Sequence, residues 1–319
     1  MTRDFSTTEL VSALGGFGIA VRRCMPLPGH AHSLNFRVET AAGETFVAKC
    51  FPSAKRRMFA RLLAHTASAP AAFCSAALFG GRTVTFGAWE ALALKWIAGR
   101  GIRADRLTAA ERTAMLSAYE EFRHGLVDDG QILPARQGRA VKQALLALLD
   151  KDAAPEIVAE LRRMDDAVLD LPPERLRIIH GDLHDRNFHF VNGRVAGFLD
   201  LEEFRWGTPA EDFVRYIVCC TERLPWTAFA ARRRARACFA GFLRETQIPR
   251  DEWLFAIHGY LLRKLARKIK SSHVSWGVRL NLAWRFRFYR QLCAAVDSAF
   301  PTVDGTVCRR WKKGDKDNA

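Results

Sequence analysis

The sequence predicts an α+β protein with a small antiparallel β lobe followed by a larger, mainly helical lobe. Alternation of apolar and polar residues dominates the chain up to Gly101, and helical periodicity dominates after it. One strong hairpin signal interrupts the helical part. We therefore expect residues 1–98 to form the first lobe, ending in a hinge, and residues 99–319 to form the second.

Short strands separated by turn residues fill the first lobe. A proline-rich run at 26–29 is expected to end the first strand, and a turn at 41–44 to join the next two. Residues 55–65 show a helical pattern between the third and fourth strands. The predicted strands are residues 18–25, 34–40, 45–51, 82–86 and 91–97.

Helical patterns dominate the second lobe. The Thr-Ala-Ala-Glu run at 108–111 has capping-box spacing, and we expect the helix that it opens to end near residue 125. Two prolines at 172–173 precede a β-rich insert at 177–204, and the chain is helical again from residue 212. Further predicted helices are residues 141–149 and 156–169.

Composition and cysteine spacing exclude several other classes of protein. Apolar residues make up 49% and charged residues 26% of the 319 residues, which excludes a wholly disordered or fibrous chain. The longest stretch without charged residues or histidine, at 66–81, is too short to span a bilayer, and the N-terminus has no secretory signal. The eight cysteines have no C-x-x-C spacing. We therefore expect reduced thiols in the cytoplasm rather than disulfides or a zinc site.

The net charge of +15 lies mainly in the C-terminal third of the chain, where residues 206–319 contain 22 Lys and Arg against 10 Asp and Glu. Two helical patterns there, at 257–270 and 279–290, combine basic with apolar residues. They are either solvated faces of core helices or a surface that faces an anionic acceptor or the inner membrane surface. No nucleic-acid-reading motif accompanies the charge, so we do not predict a nucleic-acid partner.

The segment 178–200 contains the residue pattern most informative about function. Its Asn-Gly pair at 192–193 is a strong two-residue hairpin signal, which pairs residues whose numbers sum to 385. In that register Asn187 faces Phe198, and Asp200 lies two residues beyond the pair. The spacing therefore predicts that the amide and the carboxylate can reach one small cation at the open end of the hairpin.

Residues at and near this open end predict a phosphoryl-transfer site. Oxygen ligands of this kind suit Mg²⁺, which binds few protein groups together with substrate phosphates. Asp182, on the loop before the hairpin, remains able to accept a proton from an incoming hydroxyl. Lys49, in the early strand sequence Phe-Val-Ala-Lys, supplies the lysine that such a site uses to hold the phosphates.

Three motifs together resemble one family of enzymes. The runs His-Gly-Asp-Leu-His-Asp-Arg-Asn at 180–187, Gly-Phe-Leu-Asp at 197–200 and Gly-Thr-Pro-Ala-Glu-Asp at 207–212 are similar to those of the aminoglycoside phosphotransferase and choline kinase superfamily. The resemblance is close between residues 178 and 216 and loose in the first lobe. It implies a two-lobed protein-kinase-like fold, in which the first lobe binds ATP and the second holds the catalytic loop and the acceptor.

The resemblance also implies a role for each matching residue. Asp182 resembles the catalytic base, and Asn187 and Asp200 resemble the ligands of Mg²⁺. His180 and Asp212 resemble residues that orient and brace the catalytic loop. The residues implied to contact ATP are Lys49, Gly29 and Ser33 of the covering loop, and Leu94, Trp96 and Ile97 of the hinge.

One acidic residue of the family pattern is missing. No Asp or Glu occurs between Glu44 and Glu90, where the family has a helix glutamate that pairs with the strand lysine. Two alternatives follow from this gap. Either Asp200 or Glu90 orients Lys49, or nucleotide binding is weakened.

Other polar residues near the motifs have two interpretations each. His184 and His189 are expected to pack or to form hydrogen bonds rather than to bind a metal. Glu202 and Glu203 either support or contact the substrate, or are simply exposed carboxylates.

The sequence therefore predicts an ATP- and Mg²⁺-dependent phosphotransferase that acts on a hydroxyl of a small molecule or saccharide. The basic second lobe favours an anionic acceptor, such as a lipopolysaccharide-type or other phosphorylated sugar, because aminoglycosides are polycations. The alternatives are an inactive or weakly active kinase-like module that binds nucleotide, and an aminoglycoside phosphotransferase proper.

Overall fold

The computed structural model describes most of the chain as two compact units. The first unit consists of Met1–Ile102, Ala114–Leu133 and Asp185–Phe204, and the second of Arg103–Thr113, Pro134–His184 and Arg205–Ala319. The structure describes residues 6–30, 33–55, 60, 64–65, 75–126, 128, 132–135, 137–149, 155–225, 227–269 and 276–301. Most of the predicted helix at 55–65 lies outside these ranges. The predicted lobe boundary at 98–99 stays a prediction.

A five-stranded antiparallel sheet forms the main part of the first unit. Its strands are β1 (Val21–His30), β2 (Ser33–Thr40), β3 (Thr45–Pro52), β4 (Thr83–Phe86) and β5 (Trp89–Lys95), in the spatial order β1-β2-β3-β5-β4. Helix α1 (Thr7–Gly15) buries Leu10 and Leu14 against the apolar face of this sheet, where Phe36, Val38 and Phe46 are also buried. Burial of this alternating face holds the strands in register.

The first strand continues through the proline-rich run, so the prediction that this run ends it is wrong. Pro26 pairs with Phe36 and Leu27 with Asn35 in the β1–β2 ladder. The physical reason is the position of β1 at the edge of the sheet. An edge strand has a partner on one side only. A proline is tolerated there when its nitrogen faces the open side, because no ladder hydrogen bond is then lost.

A hairpin and part of one helix complete the first unit. Strands β7 (Phe188–Val191) and β8 (Arg194–Phe198) form the predicted hairpin around the Asn-Gly turn, and α2 (Ala109–His124) enters this unit from Ala114. The ring of Phe122 stacks on Phe198 with centroids 4.5 Å apart. This aromatic contact fixes the end of β8, the strand that leads to Asp200.

Helices around a buried aromatic core form most of the second unit. Phe213 stacks on Phe242 with centroids 4.9 Å apart, and Trp253 packs edge-on against Phe239. The helices are α3 (Gly138–Leu148), α4 (Pro155–Arg163), α5 (Pro209–Glu222), α6 (Phe229–Glu245), α7 (Arg250–Lys268) and α8 (Trp276–Ala299), with the short pair β6 (Arg177–Ile179) and β9 (Arg205–Gly207). A helix that could cross a membrane is not found among the described residues.

Helix boundaries show where the sequence prediction succeeds and fails. The capping box that opens α2 is formed, since the Thr108 hydroxyl accepts the N–H of Glu111 and the Glu111 carboxylate accepts the N–H of Thr108. By contrast, α4 ends at Arg163 instead of residue 169, because a short 3₁₀ turn capped by Asp165 follows it. Cys24, Cys50, Cys219, Cys220, Cys238 and Cys293 are free thiols.

Candidate active site

The β7–β8 hairpin positions Asn187 and Asp200, but its register differs from the predicted one. Phe190 pairs with Val195 as the sum of 385 requires, whereas Phe188 pairs with Phe198. A β-bulge at Ala196 adds one residue to β8 and shifts the pairing. Asn187 therefore lies opposite Leu199, whose N–H donates to the Asn187 carbonyl at 2.8 Å, and Asp200 is the next residue along the chain.

Asp200 has a backbone conformation that is uncommon outside glycine. Its φ of 61° and ψ of 60° lie in the left-handed region, immediately before a 3₁₀ turn at Leu201–Glu203. Aspartate tolerates this region better than most residues, yet the conformation is strained and persists only when its surroundings hold it. Here it turns the chain so that Asp200 and Glu202 reach the same lysine.

Lys49 lies on β3, is almost fully buried and is held by two carboxylates. Its Nζ donates to Asp200 Oδ1 at 2.7 Å and forms a second ion pair with Glu202 Oε1. Burial alone would lower the pKa of Lys49, but the two carboxylates outweigh it and hold that pKa above its usual value. Of the two partners that the sequence leaves open, the structure places Asp200 on the lysine. The Glu90 carboxylate accepts a hydrogen bond from Thr83 at 3.2 Å.

The residues around Lys49 suit a divalent cation by their charge. Two carboxylates face one ammonium, which leaves a net negative charge in a mostly buried place. Burial raises the pKa of Glu202, an effect that the Lys49 ammonium partly offsets. Within the described ranges no group of three His, Cys, Asp or Glu side chains is arranged to hold a metal ion. The residues that the sequence motifs imply for a cation here are Asp200 and Asn187, together with the phosphates of a nucleotide.

The hinge predicted to contact ATP follows the end of β5. Leu94 and Ile97 are buried, and Trp96 is half-buried with the Arg37 guanidinium 5.1 Å from its ring centroid. His189 Nδ1 lies 3.1 Å from the Ile97 carbonyl oxygen, so this histidine forms a hydrogen bond as expected and ties the hinge to the hairpin.

The covering-loop residues lie where β1 turns into β2. Gly29 is part of β1, and Ser33 begins β2 and is buried. His30 pairs with Ser33 across a two-residue connection, whose residues His32 and Ala31 lie outside the described ranges. Gly29 and Ser33 therefore belong to neighbouring strands that pair next to this connection.

The second unit holds the catalytic loop through one buried carboxylate. Asp212 accepts the N–H of His180 at 2.8 Å and the N–H of Gly181 at 2.9 Å, and it is fully buried. The N–H of Asp182 donates to His180 Nδ1 at 3.3 Å, so the imidazole ring supports the backbone of the predicted base. Charge-assisted bonds of this kind are about twice as strong as neutral ones, and two of them fix the loop closely.

The start of α5 fixes the position of Asp212. Thr208 caps the helix, Pro209 occupies its first position and Glu211 completes the capping box. Arg205 donates to the Gly181 carbonyl at 2.8 Å and to Glu211 at 2.7 Å, which links the helix start to the same loop. The motif at 207–212 is thus a helix cap that positions a buried acid.

Asp182 pairs with an arginine that the sequence does not single out. Arg215, one turn after Asp212 on α5, forms an ion pair with Asp182 Oδ1. His184 is buried, and its Nε2 lies 3.8 Å from Asp182 Oδ2. The only sequence signal for Arg215 is its helical spacing of three residues from Asp212, which places both on one face.

A small antiparallel sheet carrying a lysine, a helical unit carrying a braced catalytic loop and a kinase-like fold together define a phosphotransferase. The family model described as "APH: Phosphotransferase enzyme family" matches residues 23–248. The chain belongs to this phosphotransferase family. It is an enzyme of the small-molecule kinase type, with a hydroxyl group as the acceptor.

Solved structures show the same kinase-like fold. Spectinomycin phosphotransferase APH(9)-Ia, solved with ADP and spectinomycin, has a TM-score of 0.57 at 10% identity, covering 94% of this chain and 99% of that chain. The amicoumacin kinase hAmiN, solved with AMP-PNP and Ca²⁺, has a TM-score of 0.56 at 11% identity, with coverages of 91% and 94%. APH(3'')-Id from Streptomyces rimosus, solved with ADP and streptomycin, has a TM-score of 0.51 at 18% identity, with coverages of 81% and 99%. No match was found among curated protein sequences.

Proposed function

We propose that this chain transfers the γ-phosphate of ATP to a hydroxyl of a small molecule or saccharide that carries an anionic group. The observation that most supports the nucleotide half of this proposal is the pairing of Lys49 with Asp200 and Glu202. This contact brings a strand lysine, which in this class of reaction binds nucleotide phosphates, next to the acid that would bind Mg²⁺. The net positive charge of the second unit supports an anionic acceptor.

Each unit would supply one part of the chemistry. Lys49 would bind the α- and β-phosphates, while Asn187 and Asp200 would hold Mg²⁺, which neutralises the charge on the β- and γ-phosphates. Asp182 would orient the acceptor hydroxyl and take its proton as the new bond to phosphorus forms. Asp212 and His180 keep that carboxylate in place, so most of the rate enhancement would come from positioning.

Substitution of the base tests the proposal. We expect Asp182→Asn to reduce ATP-dependent phosphorylation by about a thousandfold, because an amide cannot accept the proton. Turnover would be measured by ADP release against a panel of sugars, sugar phosphates and choline. The thermal shift caused by Mg²⁺ and AMP-PNP should be unchanged, since Lys49 and Asp200 are intact.

A matched control is Glu174→Gln, which neutralises an exposed carboxylate of the same unit and should leave turnover as it is. Equal turnover in the Asp182→Asn variant and the unmodified protein would refute the role of Asp182. A nucleotide-dependent shift without turnover on any acceptor would instead identify an inactive nucleotide-binding module.

A further inference from the structure

Three basic side chains of the second unit form a cluster, and one of them contacts Asp182. Arg215 comes from α5, and Arg263 and Lys264 come from α7, so two packed helices bring them together. We call these three residues the cationic cluster. All three are half-buried, and Arg215 contacts the predicted base directly.

The carboxylates of the described residues do not balance this cluster. Lys264 donates to Glu222 at 2.8 Å, but the same carboxylate also binds Arg285. Arg215 has Asp182 as its partner. Arg263 forms no ion pair among the described residues, and its guanidinium lies over the Tyr260 ring, 4.7 Å from the centroid.

The two arginines also have donors without partners inside the protein. The Nε atoms of Arg215 and Arg263 are buried and form no hydrogen bond within the described part of the chain. Buried N–H donors are normally satisfied, and a buried donor without a partner is unfavourable. Both donors are therefore available to an acceptor that comes from outside the protein.

Repulsion between the positive charges of the cluster also favours the binding of an anion. Burial, reinforced by the positive charges of Arg215 and Arg205, lowers the pKa of Arg263 to about 10. Burial is the main cause that lowers the pKa of Lys264; Cys219 opposes it, and the charges of Arg215 and Arg263 add to the lowering. The mutual repulsion of these positive charges is therefore unfavourable, and a bound anion would reduce it.

We propose that Arg215 and Arg263 bind a phosphate group of the acceptor, so that this enzyme phosphorylates a hydroxyl on a molecule that is already phosphorylated. This inference rests on the proposed function. Arginine forks match phosphate oxygens with two parallel hydrogen bonds, and a doubly charged group offsets two guanidinium charges better than a carboxylate does. Because Arg215 also contacts Asp182, a phosphate held there would place a nearby hydroxyl beside the base.

A phosphate titration tests the cluster directly. Protein saturated with Mg²⁺ and AMP-PNP, which occupies the nucleotide site, would be titrated with inorganic phosphate at constant ionic strength, and the melting temperature recorded. We expect the unmodified protein to be stabilised by phosphate and Arg263→Gln to bind it about tenfold or more weakly. The matched control, Arg233→Gln, removes an exposed arginine of α6 and should respond like the unmodified protein.

Two outcomes would overturn the inference. One is a phosphate response of Arg263→Gln equal to that of the unmodified protein, and the other is no response in either. The conservative variant Arg263→Lys keeps the charge but loses the fork, and should retain part of the response, which guards against a simple folding defect. Failure of the proposed function is visible separately, since Mg²⁺ and AMP-PNP would then cause no shift.

Turnover assays distinguish the sources of phosphate. We expect glucose 6-phosphate to raise ADP release more than glucose or gluconate does, and this preference to be lost in Arg263→Gln. Vesicles of phosphatidylcholine with phosphatidylglycerol test a lipid headgroup. Vesicle binding that Arg233→Gln weakens as much as Arg263→Gln would assign the effect to the general surface charge and contradict a specific site.

Discussion

At the scale of single residues, Lys49 shows how this chain manages without the helix glutamate of its family. The lysine is almost fully buried, where an unpaired ammonium would be costly. Asp200 and Glu202, two positions apart around a left-handed turn, both pair with it. Glu202, which follows the hairpin, thus provides Lys49 with a carboxylate where the family uses a glutamate from a helix.

Glu202 is therefore predicted to matter more for nucleotide binding than Glu90, the other acid that the sequence offers. We expect Glu202→Gln to weaken binding of Mg²⁺ and ATP by about tenfold, because Lys49 loses one of its two negative partners. Glu90→Gln, which alters the acceptor of the Thr83 hydroxyl, should have a smaller effect. Calorimetric titration of both variants with Mg²⁺ and AMP-PNP measures the difference, and a larger loss in Glu90→Gln would contradict the assignment.

We expect the buried residue His258 to make the free energy of unfolding depend on pH. Burial lowers the pKa of His258 from 6.5 to about 4, so the unfolded chain binds a proton more readily than the folded one. Stability should therefore fall as pH decreases from 6.5 towards 4, by about 3 kcal/mol from this residue alone. Above pH 6.5 the residue is neutral in both states and contributes no pH dependence.

Urea denaturation between pH 7 and pH 4 measures this contribution. His258→Gln should flatten the pH dependence of the unfolding free energy over that range, whatever its effect on absolute stability. An unchanged slope in the His258→Gln variant would show that another group governs the acid response.

The sequence identifies the motif residues of the candidate site but not their supporting partners. Asp182, Asn187, Asp200 and Lys49 stand in recognisable patterns, because the chemistry restricts both residue type and spacing. The pairing of Arg215 with Asp182 depends on how α5 packs over a loop 33 positions earlier in the chain. No local pattern encodes such a contact, so it becomes visible only in the folded structure.

At the scale of elements, the connection after β5 is packed tightly against the segment before β7. Arg100 and Phe190 exchange backbone hydrogen bonds of 3.2 and 2.9 Å. A Cβ atom on Gly101 would lie 1.3 Å from the carbonyl oxygen of Asp185, so only glycine allows this approach. The segment after β5 and the β7–β8 hairpin therefore share one packed junction within the first unit.

Gly101→Ala is predicted to disturb this junction. We expect a destabilisation of about 3 kcal/mol and a fall in turnover, because the backbone of the hinge or of the loop must move to admit the methyl group. Thermal denaturation and ADP release would be measured together. Gly15→Ala, where the added methyl group meets nothing within 4 Å, should change stability by less than about 1 kcal/mol. Similar stability of both variants would contradict the close approach.

Most elements follow from local sequence, and the exceptions have tertiary causes. The strands around residues 34–51 and the capped start of α2 match their patterns closely. The continuation of β1 through its prolines depends on its place at the edge of the sheet, which residue patterns alone do not reveal. The bulge at Ala196 is likewise not visible in the sequence pattern. It places Asn187 one position closer to Asp200 than the register of a regular two-residue hairpin predicts.

At the scale of the whole molecule, net charge is the property that bears most on the choice of acceptor. The net charge is +15, and the C-terminal third carries most of it. A cationic ligand approaching that part of the surface would be repelled, whereas an anionic one would be attracted and captured faster at low salt.

Aminoglycosides are accordingly predicted to be poor acceptors. We expect streptomycin and hygromycin B to cause no increase in ADP release above the rate without acceptor, while a sugar phosphate does increase it. The advantage of the sugar phosphate should decrease as sodium chloride is raised from 0.05 to about 0.5 M. Efficient phosphorylation of either antibiotic would contradict this prediction and would show that the positive charge lies away from the acceptor.

The pairing of Lys49 with two acids has a consequence for the order of ligand entry. A nucleotide without a bound cation would be repelled, because the Lys49 ammonium is already neutralised and the two carboxylates leave a net negative charge. With a divalent ion already on its phosphates, the same molecule brings the charge that the acids lack. We therefore expect nucleotide and cation to bind as one complex, and each to bind weakly without the other.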